Sequence, residues 1–222
     1  MHYPGGKAKT FHHVVNLIPP HSVYIEPFLG LGSVMKAKKR AEAEFGVDLD
    51  KHVLEMSDLK DRGVQLIHED GISFLESFPF KGHEVVYCDP PYYPKARKRE
   101  RVYKYDLGEH DHIRFLNLVT QLNARIIISG YDNDIYRRHL NDWHVYTYSC
   151  KAHDGLREEC LWYNFPSPCQ LHDYRYLGSN FRERQTIRRR LERMKRRLGE
   201  LSDQERSLLV EWLTIRENPS AD

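Results

Sequence analysis

The stretch VVYCDPPYYPKARKRER carries, in Asp89-Pro90-Pro91-Tyr92, a carboxylate, a rigid backbone carbonyl and an aromatic face within four residues. Two successive prolines cannot donate backbone hydrogen bonds, so the Pro90 carbonyl stands free to accept, and the stiff turn holds it beside Asp89. Two acceptors side by side match an amino group with two hydrogens. Tyr92 adds a face on which a base can stack, worth about 1–3 kcal/mol per base in comparable sites. The amine of adenine is a poor nucleophile because its lone pair is delocalised into the ring. Bonds from both its hydrogens to Asp89 and the Pro90 carbonyl favour a tetrahedral nitrogen, freeing that pair for in-line attack on a sulfonium methyl group. Such catalysis is positioning and electrostatics, with no covalent enzyme intermediate. A base in a duplex must first be flipped out. The competing reading is a solvent-facing turn with an Asp cap.

Upstream, EPFLGLGSV sets Gly30 and Gly32 behind Glu26-Pro27-Phe28. Glycines let backbone approach a ligand closely, and a helix start offers unpaired N–H groups, which suits a nucleoside or a carboxylate. The same pattern also serves as a bare tight turn. Asp48, at the end of the next predicted strand, can accept hydrogen bonds from both ribose hydroxyls, with Asp50 competing as a helix cap. Asp70 suits either the adenine amine of a cofactor or the cap of a helix starting near Ile72. These groups fit any adenosine cofactor, NAD included. The tetrapeptide is what selects the reaction.

Positioning these groups takes alternating strands and helices. A helix is predicted from about Lys9 to Leu17, stopped by Pro19-Pro20, then a strand over Val23 to Ile25, the glycine loop and a helix from about Ser33. EFGVDLD reads as the second strand, followed by strands at Val64 to His68, Glu84 to Cys88 and Ala124 to Ser129. The helix His110 to Leu122 repeats Ile113, Leu116 and Val119 at three-residue steps. This alternation argues for an α/β fold with a largely parallel sheet covered on both faces. Trp143 to Ser149 and Glu159 to Phe165 read as an antiparallel pair at the sheet edge. The resulting division is a catalytic domain over 1–166 and, over 167–222, a linker with a helical hairpin at about Phe181 to Leu198 and Asp203 to Ile215.

The 222 residues suffice for one such domain plus an appendage, and the net charge is only +2. Local crowding matters more to a polyanion than the total. Lys95, Arg97, Lys98, Arg99, Arg101 and Lys104 follow the tetrapeptide, and Arg188, Arg189, Arg193 and Arg196 stand on the first tail helix. Both groups are read as phosphate contacts of a nucleic acid, the helix face with a merely solvated surface as its rival. The stripe Ile187, Leu191, Met194, Leu198 and Leu201 is read as packing against Leu208, Leu209, Trp212 and Ile215, or as self-association with a partner chain. Four cysteines without CxxC spacing and the opening MHYPGGK indicate a reduced, cytoplasmic protein with no secretory signal. No apolar run reaches the roughly 20 residues of a membrane helix. The thirteen histidines lack metal-ligand spacing, and no metal is expected.

Together these residues resemble the Dam-type DNA adenine methyltransferases. Tyr3-Pro4-Gly5-Gly6-Lys7 looks like the family's N-terminal cofactor motif, Glu26 to Gly32 like its FxGxG motif, and Asp89 to Tyr92 like its DPPY motif. The resemblance covers roughly Met1 to Phe165. It implies a Rossmann-like fold, S-adenosylmethionine as cofactor and the 6-amino group of adenine in DNA as acceptor. It also implies a bacterial or bacteriophage source. By this analogy Tyr3, Gly6 and Lys7 help hold the cofactor, Lys7 at its methionine portion. Glu26, Pro27, Phe28, Gly30 and Gly32 line the cofactor pocket, Asp48 binds the ribose and Asp70 the adenine. One departure matters. Members usually carry a target-recognition insertion before the catalytic motif, whereas here only Leu75 to Lys81 separates the third-strand region from the fourth. Specificity must then come from elsewhere, with the loop Pro94 to Lys104 and the basic tail as candidates, or be short or lax. The rival readings are the same chemistry on RNA and a DNA-clamping module that performs no transfer. A glutamine-modifying relative would usually carry Asn in place of Asp89.

Overall fold

The computed structural model describes residues 7–96, 105–152 and 155–217. Tyr3, Gly6, Arg97, Lys98, Arg99, Arg101 and Lys104 lie outside these. The chain divides into two compact units, Met1–Tyr176 and Leu177–Asp222.

The first unit is built on α1 (Phe11–Val15), β1 (Val23–Glu26), α2 (Ser33–Ala37), β2 (Ala43–Asp48), α3 (Lys51–Glu55), β3 (Gln65–His68) and α4 (Gly71–Ser77). It continues with β4 (Val85–Cys88), α5 (Glu109–Val119), β5 (Arg125–Gly130), α6 (Asp134–His139), β6 (His144–Ala152) and β7 (Gly155–Tyr163). The strands form one seven-stranded sheet in the order β3-β2-β1-β4-β5-β7-β6. All neighbours are parallel except β7, which runs antiparallel to both β5 and β6. This is a Rossmann-like α/β sheet. The chain winds outward from β1 to β3, then returns to lay β4 on the other side of β1, so the strand order reverses between β1 and β4. Open α/β sheets bind ligands at such a switch point, outside the carboxyl ends of the strands.

Alternation of side chains across the sheet explains its two cores. Val85, Tyr87 and Ile127 face one layer with Val14, Ile18, Met35 and Leu161. Val86, Cys88, Ile126 and Ile128 face the other with Ile72, Leu75, Phe115 and Trp162. With both faces covered, the central strands read as continuous apolar runs, and β4 is buried throughout. Helix starts are fixed by side chains that satisfy orphan N–H groups. Asp50 accepts from the His52 N–H, Asp70 from that of Ser73 and Asn133 from that of Tyr136.

The elements follow the expected order, with shifted ends. The first helix is shorter than Lys9 to Leu17, because its last turn tightens into bonds from the Leu17 N–H to the Val14 carbonyl and from the Ile18 N–H to that of Val15. The terminal antiparallel pair is longer than its apolar residues suggested. Of this pair β6 alone is an edge strand, since β7 lies between it and β5. After β7 the chain stays with the first unit as far as Tyr176. Asp173 is fully buried, accepts from the Lys39 N–H at 3.0 Å and pairs with Arg175.

The second unit contains α7 (Phe181–Gly199) and α8 (Asp203–Glu217). Asn180 caps α7 through the Glu183 N–H, and Ser202 with Glu205 forms a reciprocal capping box on α8. Among the described residues the apolar stripe of α7 is half-buried at Ile187 and Leu201 and open elsewhere. Leu191, Met194 and Leu198 stay exposed, as do Leu208 and Trp212, and α7 buries no residue. Among the described residues no helix is long and apolar enough to cross a membrane, and the four cysteines are free thiols.

Candidate active site

Two loops leave the sheet at the switch point. The first, Pro27 to Gly32, follows β1. Gly30 and Gly32 adopt φ of +50° and +62°, a region that favours glycine. A Cβ on Gly32 would stand 2.6 Å from Leu59 Cδ1, so the turn also needs the missing side chain for space. Asp48, closing β2, ties this loop down. Its Oδ2 accepts from the Gly30 N–H at 2.7 Å and its Oδ1 from the Asp50 N–H at 2.8 Å. Burial raises the Asp48 carboxyl above its usual range, against the pull of those two bonds. Asp50 is itself the cap of α3, while Asp70 caps α4 through the Ser73 N–H and hydroxyl, both at 2.9 Å. Phe28 packs edge-on against Phe115, ring centres 5.6 Å apart. Pro27 lies so near α4 that a Cβ on Gly71 would be 2.0 Å from its carbonyl oxygen.

Beneath this loop Glu26 is 2% exposed and accepts from the Tyr24 hydroxyl at 3.0 Å. Burial pushes its carboxyl up to about 8. The ammonium of Lys38 lies 4.0 Å from the Tyr24 ring centre and pairs with buried Glu44, which fixes the polar floor below β1.

The second loop carries the tetrapeptide from the end of β4. The Lys7 ammonium reaches into it and donates to Asp89 Oδ1 at 2.9 Å and to the Tyr92 hydroxyl. Lys7 also stands 3.6 Å from Glu159 Oε2 on β7. Burial alone would strip its charge, but Asp89, Tyr87, Glu159 and Tyr148 outweigh it and hold the ammonium well above the usual lysine range. Burial raises the Asp89 carboxyl, with Lys7 opposing the rise. Around this centre the Tyr148 hydroxyl donates to Glu159 Oε2 at 2.5 Å, and the Tyr87 hydroxyl to Ser129 Oγ at 3.2 Å. Tyr131 meets Tyr92 edge-on at 4.7 Å, and the Arg157 guanidinium lies 5.3 Å from the Tyr131 ring centre. Pro90 is buried and Pro91 half-buried.

The structure thus gathers Lys7, Asp89, Pro90, Pro91 and Tyr92 at one end of β4, beside the loop holding Glu26 to Gly32 and its anchor Asp48. Lys7 turns toward the tetrapeptide. Lys95 is exposed but donates to Glu109 at 2.8 Å, which partly neutralises it. Arg188, Arg189, Arg193 and Arg196 lie exposed on α7, in the second unit. Sequence reasoning missed Glu159, Tyr148, Tyr131 and Arg157. For Glu159 the available signal is an acid that opens the apolar run CLWY within a strand.

Three solved structures are similar to the chain at low identity. The TrmK of M. capricolum, in complex with S-adenosyl-homocysteine, is 10% identical over 95% of this chain and 93% of its own, with a TM-score of 0.48. An rRNA methylase from Streptococcus thermophilus is 14% identical over 69% and 93%, with a TM-score of 0.46. The magnesium protoporphyrin IX methyltransferase of Synechocystis is 15% identical over 71% and 79%, with a TM-score of 0.47. No curated protein matches the sequence. The profile of the D12 class N6 adenine-specific DNA methyltransferases matches residues 3–81 and 72–152, which together span most of the chain and take in both glycine motifs and the tetrapeptide. The chain belongs to the D12 class N6 adenine-specific DNA methyltransferase family.

Proposed function

We propose that this protein transfers a methyl group from S-adenosylmethionine to the 6-amino group of an adenine flipped out of duplex DNA. The observation that carries this reading is the buried Lys7–Asp89–Tyr92 cluster at the end of β4, set beside the Gly30–Gly32 loop at the topological switch point.

The residues around the first loop fit the cofactor. Gly30 keeps the loop backbone bare of a side chain while Gly32 makes the turn close against Leu59, and each Asp48 oxygen retains a second lone pair after its backbone bond. Asp70 takes both Ser73 bonds on Oδ2, which leaves its Oδ1 to accept from hydroxyl and amine donors. When bound, the cofactor supplies an electrophilic methyl group on a sulfonium sulfur.

The chain's own residues prepare the nucleophile. Asp89 and the Pro90 carbonyl accept the two amine hydrogens and draw the nitrogen toward tetrahedral geometry, while Lys7 fixes the Asp89 carboxylate through Oδ1. Asp89 also stands where it would take the proton that the amine sheds on methylation and pass it to solvent. Tyr92 holds the base by its ring while its hydroxyl is pinned by Lys7. Preorganised groups of this kind cost no reorganisation at the moment of reaction. Lys95 and the α7 arginines are assigned to phosphates, which set affinity but not sequence.

The test is transfer of labelled methyl to unmethylated duplex DNA and, in parallel, to RNA, with nucleoside mass spectrometry of the products. N6-methyladenine in DNA with wild type, and none with Asp89→Ala, is expected. Transfer to RNA alone overturns the substrate and leaves the pocket chemistry. DNA binding without transfer by either protein favours a clamping module.

A further inference from the structure

We infer that Glu159 is a positioning residue for methyl transfer, the second anion that fixes the Lys7 ammonium between Asp89 and Tyr92. This rests on the proposed function of the site.

The ammonium of Lys7 has three N–H donors, and Asp89 Oδ1 and the Tyr92 hydroxyl take two of them. Glu159 Oε2, 3.6 Å away, fills the remaining side with negative charge. The side chains facing Lys7 are Asp89, Tyr87 and Tyr92 from β4 and its loop, Tyr148 and Cys150 from β6, and Glu159 from β7. Only Asp89 and Glu159 are carboxylates. A closed Lys7–Asp89 pair would spend the Asp89 charge on the lysine and weaken it as an acceptor for the amine. A second carboxylate shares that load and leaves the cluster net negative, where positive charge develops on the amine nitrogen.

Glu159 is itself held for the task. It is 8% exposed, Tyr148 donates to its Oε2 at 2.5 Å and the Cys150 thiol to its Oε1 at 3.4 Å. Both contacts fix the carboxylate plane, and neither neutralises its charge. The bland alternative is that Glu159 merely anchors Tyr148 on the hairpin. Glu159→Gln separates the two, since a carboxamide oxygen still accepts from Tyr148 while the charge is gone.

The experiment is a double-mutant cycle of Glu159→Gln and Lys7→Met in the full chain, with Glu159→Asp as the conservative variant and thermal unfolding as the control for folding. Glu159→Gln is expected to lower kcat about tenfold or more, with KM for both substrates nearly unchanged, and to add little further loss in the Lys7→Met background. Glu159→Asp should recover part of the rate. The wild-type rate retained by Glu159→Gln, or equal losses in both backgrounds, overturns the inference. A second readout does not need turnover: in protein carrying 13C-lysine, the Lys7 ε-carbon resonance should report loss of the ammonium proton at lower pH in Glu159→Gln than in wild type. An identical Lys7 titration in the two proteins also overturns it. If wild type methylates no adenine, the proposed function falls, and the Lys7 titration still decides the role of Glu159.

Discussion

Replacing Lys7 with Met keeps an unbranched apolar stem and removes the charge at the centre of the site. That ammonium is 4% exposed, 2.9 Å from Asp89 Oδ1 and 3.6 Å from Glu159 Oε2. Removing one partner of a buried ion pair costs about 3–5 kcal/mol, because the other is left charged and unpaired. Here two carboxylates are left. Burial already raises Asp89, and Lys7 is the main group holding it down, so in the variant Asp89 keeps its proton to higher pH. The folded state then binds a proton that the unfolded chain has released, and stability falls as pH rises from the unfolded carboxylate value to the raised folded one. The deficit against wild type is therefore smallest near pH ~4 and largest above neutrality. At about 3–5 kcal/mol it lowers Tm by roughly 6–20 °C for a unit of this size. Activity moves the opposite way, since Asp89 must be ionised to accept the amine, and the acid limb of kcat shifts to higher pH. Thermal unfolding and methyl transfer, each followed for both proteins from about pH 5 to about pH 9, test this. A Tm difference that stays constant across the range, or an acid limb that does not move, refutes the reasoning.

Three other outcomes follow from single features of the fold. Gly71→Ala drives a Cβ to 2.0 Å from the Pro27 carbonyl oxygen, so it should cost about 1–3 kcal/mol and weaken S-adenosylmethionine binding by calorimetry; unchanged Tm and affinity would sink the close-approach argument. Glu26, pushed to about 8 by burial, is protonated in the folded protein at neutral pH, and wild-type stability therefore drops as pH rises toward that value. Glu26→Gln should match wild type in mild acid and unfold at a higher temperature in mild alkali, and a reversed order there would contradict the assignment. Replacing Arg188, Arg189, Arg193 and Arg196 by Ala should reduce the slope of log affinity for DNA against log salt by about 0.9 for each residue that meets a phosphate. An unchanged slope removes α7 from the interface.

What could be read from the sequence was what is contiguous in it. The glycine loop, Asp48 at a strand end and the tetrapeptide after VVYC each carry their meaning within a few residues, and the run IIIS marks a buried strand by composition alone. The surroundings of Lys7 could not be read, because its partners come from the β4 loop and from β7, with β6 behind them, and no local pattern links those segments. Tyr87 stands in the apolar run VVYC, yet its hydroxyl meets Ser129 on the neighbouring strand. Nothing in MKAKKR sets Lys38 apart from its neighbouring lysines, yet it is buried against Tyr24 and Glu44. In both, the polar end finds its partner only through pairing in space, which short-range periodicity does not encode.

The insertion of β7 between β5 and β6 governs when the site becomes complete during folding. Lys7 comes from the first described residues of the catalytic unit and Glu159 from the last strand of its sheet, so their pairing is among the contacts of greatest sequence separation. Contacts of that kind form late, after the loop they close has been ordered. A nascent chain ending before β7 already carries both glycine motifs and Asp89 to Tyr92, yet it leaves β5 as an open edge and Lys7 with one carboxylate. Closing the sheet between β5 and β6 and giving Lys7 its second carboxylate are therefore one event in folding.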